Sequence, residues 1–289
     1  MVSMSIFNVV LLVHTLRRKH AISGGGRRAD AFLRAGAIVF TVVAAYRSIW
    51  PRVDVPRRCW FDTPLNWVFF GRLAATAAEL VWAAQIALVQ RRLAAGVGKA
   101  HAAVAGRIAP ALIVALAAIA ECCSWTCLCT ENRLFCVCEE SLWTLLFAVA
   151  CACVAALDAE GRRAVWAPDR PGGPSLWRVG YRGLAVFLFL CVLAQVAQVV
   201  LYATRYAQDG LDDYHPFGVG FTMLFACAET TRSMAVWWPD ALWMTGYFSC
   251  CVWSSIWLAM APAVGGGGGQ RPQEQRLLTD AADGETGGP

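Results

Sequence analysis

Apolar residues run almost unbroken through seven stretches of this chain, 28–50, 64–90, 102–121, 140–157, 181–206, 216–238 and 241–262, with charged or Gly/Pro-bearing breaks between them. Most reach the roughly 17–25 residues that a helix needs to cross a hydrocarbon core about 30 Å thick. A helix also satisfies its own backbone hydrogen bonds, which lipid cannot do. The pattern predicts an all-α, polytopic transmembrane helix bundle of seven spans over residues 28–262. Two ends fall outside it. Residues 2–13 are a shorter apolar run followed by Arg17, Arg18 and Lys19. A secretory signal carries its charges before the apolar core, not after it. Segment 1–27 is therefore expected to be an interfacial helix and a basic cytoplasmic segment, or to add an eighth span if 2–13 cross. Residues 263–289 open on Gly265 to Gly269 and turn polar, the composition of a disordered Gly-rich tail.

Composition sharpens this picture. Hydrophobic residues make up 58% of the chain and charged ones 16%, against about 25% charged in soluble domains. Many of the 13 Trp fall near predicted span ends, among them Trp50, Trp60, Trp67, Trp143, Trp177, Trp237, Trp238 and Trp243. Indoles favour that boundary. The net charge of +5 is no nucleic-acid patch, because no Lys/Arg cluster is interleaved with aromatics outside a span.

The loops give an orientation. Segment 14–34 carries Arg17, Arg18, Lys19, Arg27, Arg28 and Arg34 against Asp30, and 90–107 carries Arg91, Arg92, Lys99 and Arg107. Segment 158–182 is also Arg-rich, whereas 121–140 and 205–214 are acidic. Lys/Arg excess marks the cytoplasmic side. A multi-pass protein is expected with its N-terminus cytoplasmic and, after seven spans, its C-terminus outside.

Cysteine usage points to the outer side. Of 13 Cys, an odd number, Cys59, Cys122, Cys123, Cys127, Cys129, Cys136 and Cys138 fall there, and Cys151, Cys153, Cys191, Cys227, Cys250 and Cys251 fall in predicted spans. One or two disulfides bracing the 121–140 loop, plain packing, and a metal or redox site compete as readings. The third is weakest. Cys127-x-Cys129 and Cys136-x-Cys138 lack the spacer of zinc knuckles, and no C-x-x-C occurs. Neither a metal nor a cofactor is expected.

Charge inside the bilayer is where chemistry should concentrate, since it costs about 2.5–3.5 kcal/mol per residue on insertion scales. In the second span Arg72, Thr76 and Glu79 share one helical face. Two turns, roughly 10 Å, separate the two charges along the axis, which predicts that each meets another helix or water. Candidate partners are Glu121, which closes the third span, Glu139 and Glu140, which open the fourth, and the stripe Gln195, Gln198 and Tyr202 in the fifth. Glu229 and Arg232, at i, i+3 in the predicted sixth span, are expected to pair along that helix near the inner surface. Tyr247, Cys251, Ser254 and Ser255 cluster on one side of the seventh. The same polar residues also serve as glue between helices. The first outer loop adds Arg47, Arg52, Arg57 and Arg58 against Asp54 and Asp62. They form either an anion mouth or ion pairs with Glu131, Glu139 or Glu140.

Several chemistries are excluded. Both lysines lie in predicted inner loops, so no span supplies a Schiff base. The four histidines sit at loop or span ends, which does not suit haem or di-iron ligation. Serine-elbow, Walker and H-E-x-x-H motifs are absent. The first expectation is a transporter- or channel-like protein that binds or passes a small anionic solute at Arg72 and Glu79, with membrane lipids as its other partners. Its rivals are a membrane-embedded enzyme acting on a lipid headgroup and a structural or assembly protein. The enzyme requires carboxylates converging near the outer face and a lateral opening to lipid. Transport requires polar residues continuing to both faces.

Overall fold

The computed structural model describes residues 2–19, 27–55, 57–95, 104–164, 175–209 and 215–260. The tail expected over 263–289 lies outside them. The chain is nearly all helical: α1 (Val2–Lys19), α2 (Arg27–Ile49), α3 (Val68–Ala95), α4 (Ala109–Thr130), α5 (Arg133–Ala164), α6 (Ser175–Asp209), α7 (Phe217–Met223) and α8 (Met234–Ala259). Five segments of 22 to 28 residues are long and apolar enough to cross a membrane: Arg28–Ile49, Val68–Ala95, Val104–Thr130, Arg133–Ala159 and Arg182–Gln208.

The expected span 216–238 does not form. Its residues make the seven-residue α7, then the strand β3 (Glu229–Thr230), and only from Met234 do they join α8. The polar run Glu229 to Ser233 breaks the apolar stretch, and average hydropathy hid it. β3 pairs in parallel with β2 (Arg58–Cys59), which pairs antiparallel with β1 (Arg52–Val53). Cys59 is bonded to Cys227. These strands, α7 and the turn Pro64–Asn66 form a cap over one end of the bundle.

The acidic, Cys-bearing segment 121–140 is not a loop either. α4 continues to Thr130 and α5 begins at Arg133. Glu131 ends α4 with a left-handed φ of 55°, and the Asn132 side chain accepts from the Leu134 amide at 2.9 Å, a capping contact. Cys127 and Cys136 bridge the two helix ends. Pro110 stands in the first turn of α4, where a missing N–H is tolerated. A wide helical turn, Val104–Ile108, precedes it.

The helices pack around Phe40, Trp82, Ile86, Ile113, Leu146, Leu188, Met244 and Ile256, all under 3% exposed. α1 does not lie across the end of the bundle as an interfacial helix would. Its stripe Ser5, Asn8, Leu12 and Thr15 is buried. Ser5 donates to Ser48 at the cap end of α2, Trp253 donates to Asn8, and Leu12 joins the main core. α1 therefore runs alongside α2 and α8, antiparallel to α2.

Candidate functional site

Arg72 is the hinge of the site. It stands one turn into α3, and its Nη2 lies 2.7 Å from Glu121 of α4, 3.3 Å from Glu79 and 3.3 Å from Glu139 of α5. The expectation that two turns keep Arg72 and Glu79 apart is overturned. The Arg72 side chain is long enough to extend down the helix against the general Cα–Cβ tilt, while Glu79 leans up to meet it. Thr76 donates to Glu121 at 2.5 Å and accepts from Trp125 at 3.1 Å. Tyr247 of α8 donates to Glu79 at 3.3 Å. Three helices thus meet at the guanidinium of Arg72, a residue 7% exposed, and α8 joins through Glu79. Buried charges of this kind persist only when paired and hydrogen-bonded.

This cluster forms one wall of a cavity of about 490 Å³, within the usual range for small-molecule sites. Arg72, Glu79, Gln195, Gln198 and Tyr202 all line it, and so do Arg47 and Arg52 from the cap end. Glu121 and Thr76 stand behind the wall. Glu140 also lines the cavity, beside Gln195. The floor is aromatic, with Trp82, Trp143 and Phe147 packed ring against ring, their centroids 5.4 to 6.4 Å apart. These were legible as a periodicity: Glu140, Trp143 and Phe147 recur at i, i+3, i+7, the spacing of one helix face.

The four outer arginines divide into two pairs. Arg57 pairs with Glu131 at 2.8 Å, and Arg58 pairs with Glu229 at 2.9 Å and Asp240 at 3.6 Å. They lock the cap down. Arg47 and Arg52 share Asp54 at 3.5 and 3.3 Å. Burial raises the Asp54 carboxyl, but Arg47, Arg52 and Arg72 outweigh it and hold the carboxyl below the usual aspartate range. Arg52 is 1% exposed, and its Nη2 has no hydrogen-bond partner among the described residues. Its guanidinium rests on the bare Cα of Gly71.

Glu229 and Arg232 are not part of this site. Glu229 sits in β3 and Arg232 lies over the Phe61 ring at 5.2 Å, so the helical i, i+3 pair expected near the inner surface does not exist. Cys227, assigned to a span, is the cap's disulfide partner. Of the remaining outer cysteines, Cys122, Cys123, Cys129 and Cys138 carry free thiols. Among the described residues no group of three or more His, Cys, Asp or Glu is placed to hold a metal ion.

One side of the cavity is open. α6 packs lengthwise against α5, while its backbone makes no extended approach to α8. Leu190 and Ala194 of α6 and Gly246 and Cys250 of α8 line the cavity yet are exposed at mid-helix. A Cβ added at Gly246 would meet nothing within 4 Å. Compared with known protein families, curated proteins and solved structures, the chain matches none.

Proposed function

We propose that this chain is an integral membrane protein that binds a bilayer amphiphile, with the headgroup in the cavity and the chain leaving between α6 and α8. The observation that carries the reading is the gap at Leu190, Ala194, Gly246 and Cys250. It lies at the middle of two apolar helices, where the surroundings are lipid rather than water. Carboxylates converging towards the cap end of a laterally open cavity are what a lipid-headgroup site requires.

Passage of a small anionic solute has less support. Glu229 and Arg232, which seemed to continue a polar path to the inner face, belong to the cap. Beyond Glu79 the cavity closes on Trp82 and Phe147. Arg72 already serves three carboxylates, so a second anion there would meet like charge. An enzyme acting on the bound headgroup remains a second reading, favoured by the contact of Glu79, Glu121 and Glu139 with one guanidinium.

In this reading α8 is a sixth crossing, and the cap faces away from the basic connections at 90–107 and 158–182. The positive-inside rule then puts the cap outside and the end of α8 inside. If α1, lying lengthwise, also crosses, the N-terminus is outside with the cap.

Extraction with surrounding lipid, followed by mass spectrometry of co-purifying molecules, tests the binding. Wild type should carry a defined amphiphile that is lost from Gly246→Trp, where an added Cβ meets nothing within 4 Å and the ring would project into the gap, and from Glu79→Gln. Equal contents in all three would overturn the proposal. A headgroup recovered in hydrolysed form from wild type alone would favour the enzyme.

A further inference from the structure

The amphiphile's chemistry can be read from the order of charges above the gap; this step rests on the lipid reading just proposed. The cavity is lined by three guanidinium groups, Arg47, Arg52 and Arg72, against four carboxylates, Asp54, Glu79, Glu139 and Glu140. Asp54 pairs with the first two arginines, and Glu79 and Glu139 with Arg72. Glu140 makes no ion pair within 4 Å among the described residues; Arg72 attracts it only from farther off, and Gln195 stands beside it. It borders the aromatic floor at Trp143, and ring faces attract ammonium groups.

The vertical order follows from the helices. Cys151 of α5 bonds the Ala185 carbonyl of α6, which fixes the antiparallel register and sets Glu140 beside Gln195. Leu190, on the gap, lies five residues or about 7.5 Å below Gln195 along α6. Arg52 lies higher, at the cap end, where its guanidinium packs on Gly71 and the residue lines the cavity. From the gap upward a ligand therefore meets apolar side chains, then the Glu140 carboxylate, then the Arg52 guanidinium at the cap end.

We propose that the ligand is a long-chain amino alcohol or its phosphate ester, with an ammonium next to the chain on Glu140 and a terminal oxygen on Arg52. A choline phospholipid presents these groups in the reverse order, phosphate nearest the chain, and a fatty acid lacks the cation. The hydroxyl and phosphate forms share the ammonium and differ only in what they offer Arg52.

The test uses the full chain in detergent and native mass spectrometry with sphinganine, sphinganine 1-phosphate, stearic acid and dioleoylphosphatidylcholine. Both amines should be retained, each by at least about tenfold over the other two, the contribution of one charge-assisted contact. Glu140→Gln should erase that preference, and Arg52→Gln should weaken the phosphate ester more than the free alcohol. Gln195→Leu provides a second variant on a lipid-facing helix if Glu140→Gln fails to fold. Preferential retention of stearic acid or phosphatidylcholine, or an unchanged preference in a folded Glu140→Gln protein, overturns the amino-alcohol assignment and leaves the lipid site standing. Retention of none of the four by wild-type protein that melts cooperatively overturns both.

Discussion

The guanidinium of Arg52 occupies the space that any side chain at Gly71 would need. A Cβ built on Gly71 would lie 1.3 Å from the Arg52 Cζ, so the buried arginine side chain would have to move. Gly71→Ala should cost about 1–3 kcal/mol, the usual range for overpacking. The double variant Gly71→Ala/Arg52→Ala should recover part of that loss, because the clash is then gone. Thermal unfolding of the three variants gives the coupling; strictly additive effects would contradict the contact.

Removing Arg72 leaves Glu79, Glu121 and Glu139 without their shared cation. Breaking a buried pair from one side costs about 3–5 kcal/mol, so Arg72→Ala should be among the most damaging single changes in the bundle. Adding Glu121→Gln should return some of the stability. Chemical or thermal unfolding in detergent reads both, and a mild effect of Arg72→Ala alone would mean that the carboxylates are not charged together.

Asp54 gives the cap a pH dependence. Its carboxyl is held below the ordinary range in the fold, so the ionised form is favoured by folding. That stability is fully present above the ordinary aspartate pKa of about 3.9 and is lost as pH falls through the lower folded value. Wild type and Asp54→Asn should therefore differ in Tm at neutral pH and converge in strong acid. A gap that stays constant with pH would disprove the linkage.

Cys250 provides a reporter of the gap. It is exposed, carries a free thiol and lines the cavity. A membrane-soluble maleimide should label it, and the co-purified amphiphile should slow that labelling relative to delipidated protein. Labelling at the same rate with the cavity full and empty would remove the ligand chain from between α6 and α8.

How much of this was legible beforehand varies with the physics of each element. The apolar runs of α2 to α6 are dictated by length and hydropathy, and Arg72, Glu79 and the Gln195–Gln198–Tyr202 stripe follow from helical phase alone. The cap was not. A two-residue strand in 229–230 has no periodicity, and its pairing with β2, 171 residues earlier, is a long-range contact that no local pattern encodes. Cys227 looked like a small apolar residue because hydropathy treats a disulfide partner and a packed thiol alike. The reach of Arg72 to Glu79 is hidden from the axial rise between backbones, because the long arginine side chain extending down the helix and the glutamate extending up it close the distance.

The Cys59–Cys227 link also sets an order of events during synthesis. Cys59 leaves the ribosome before α3, and four long helices must follow before its partner exists. Until then the hairpin carrying Arg52 has no covalent anchor, and the nascent chain offers a reactive thiol on the cap. A chain that stalls or is truncated before residue 227 keeps that thiol exposed. Any quality-control machinery that captures unpaired cysteines thus has, in Cys59, a direct readout of whether the chain has reached residue 227.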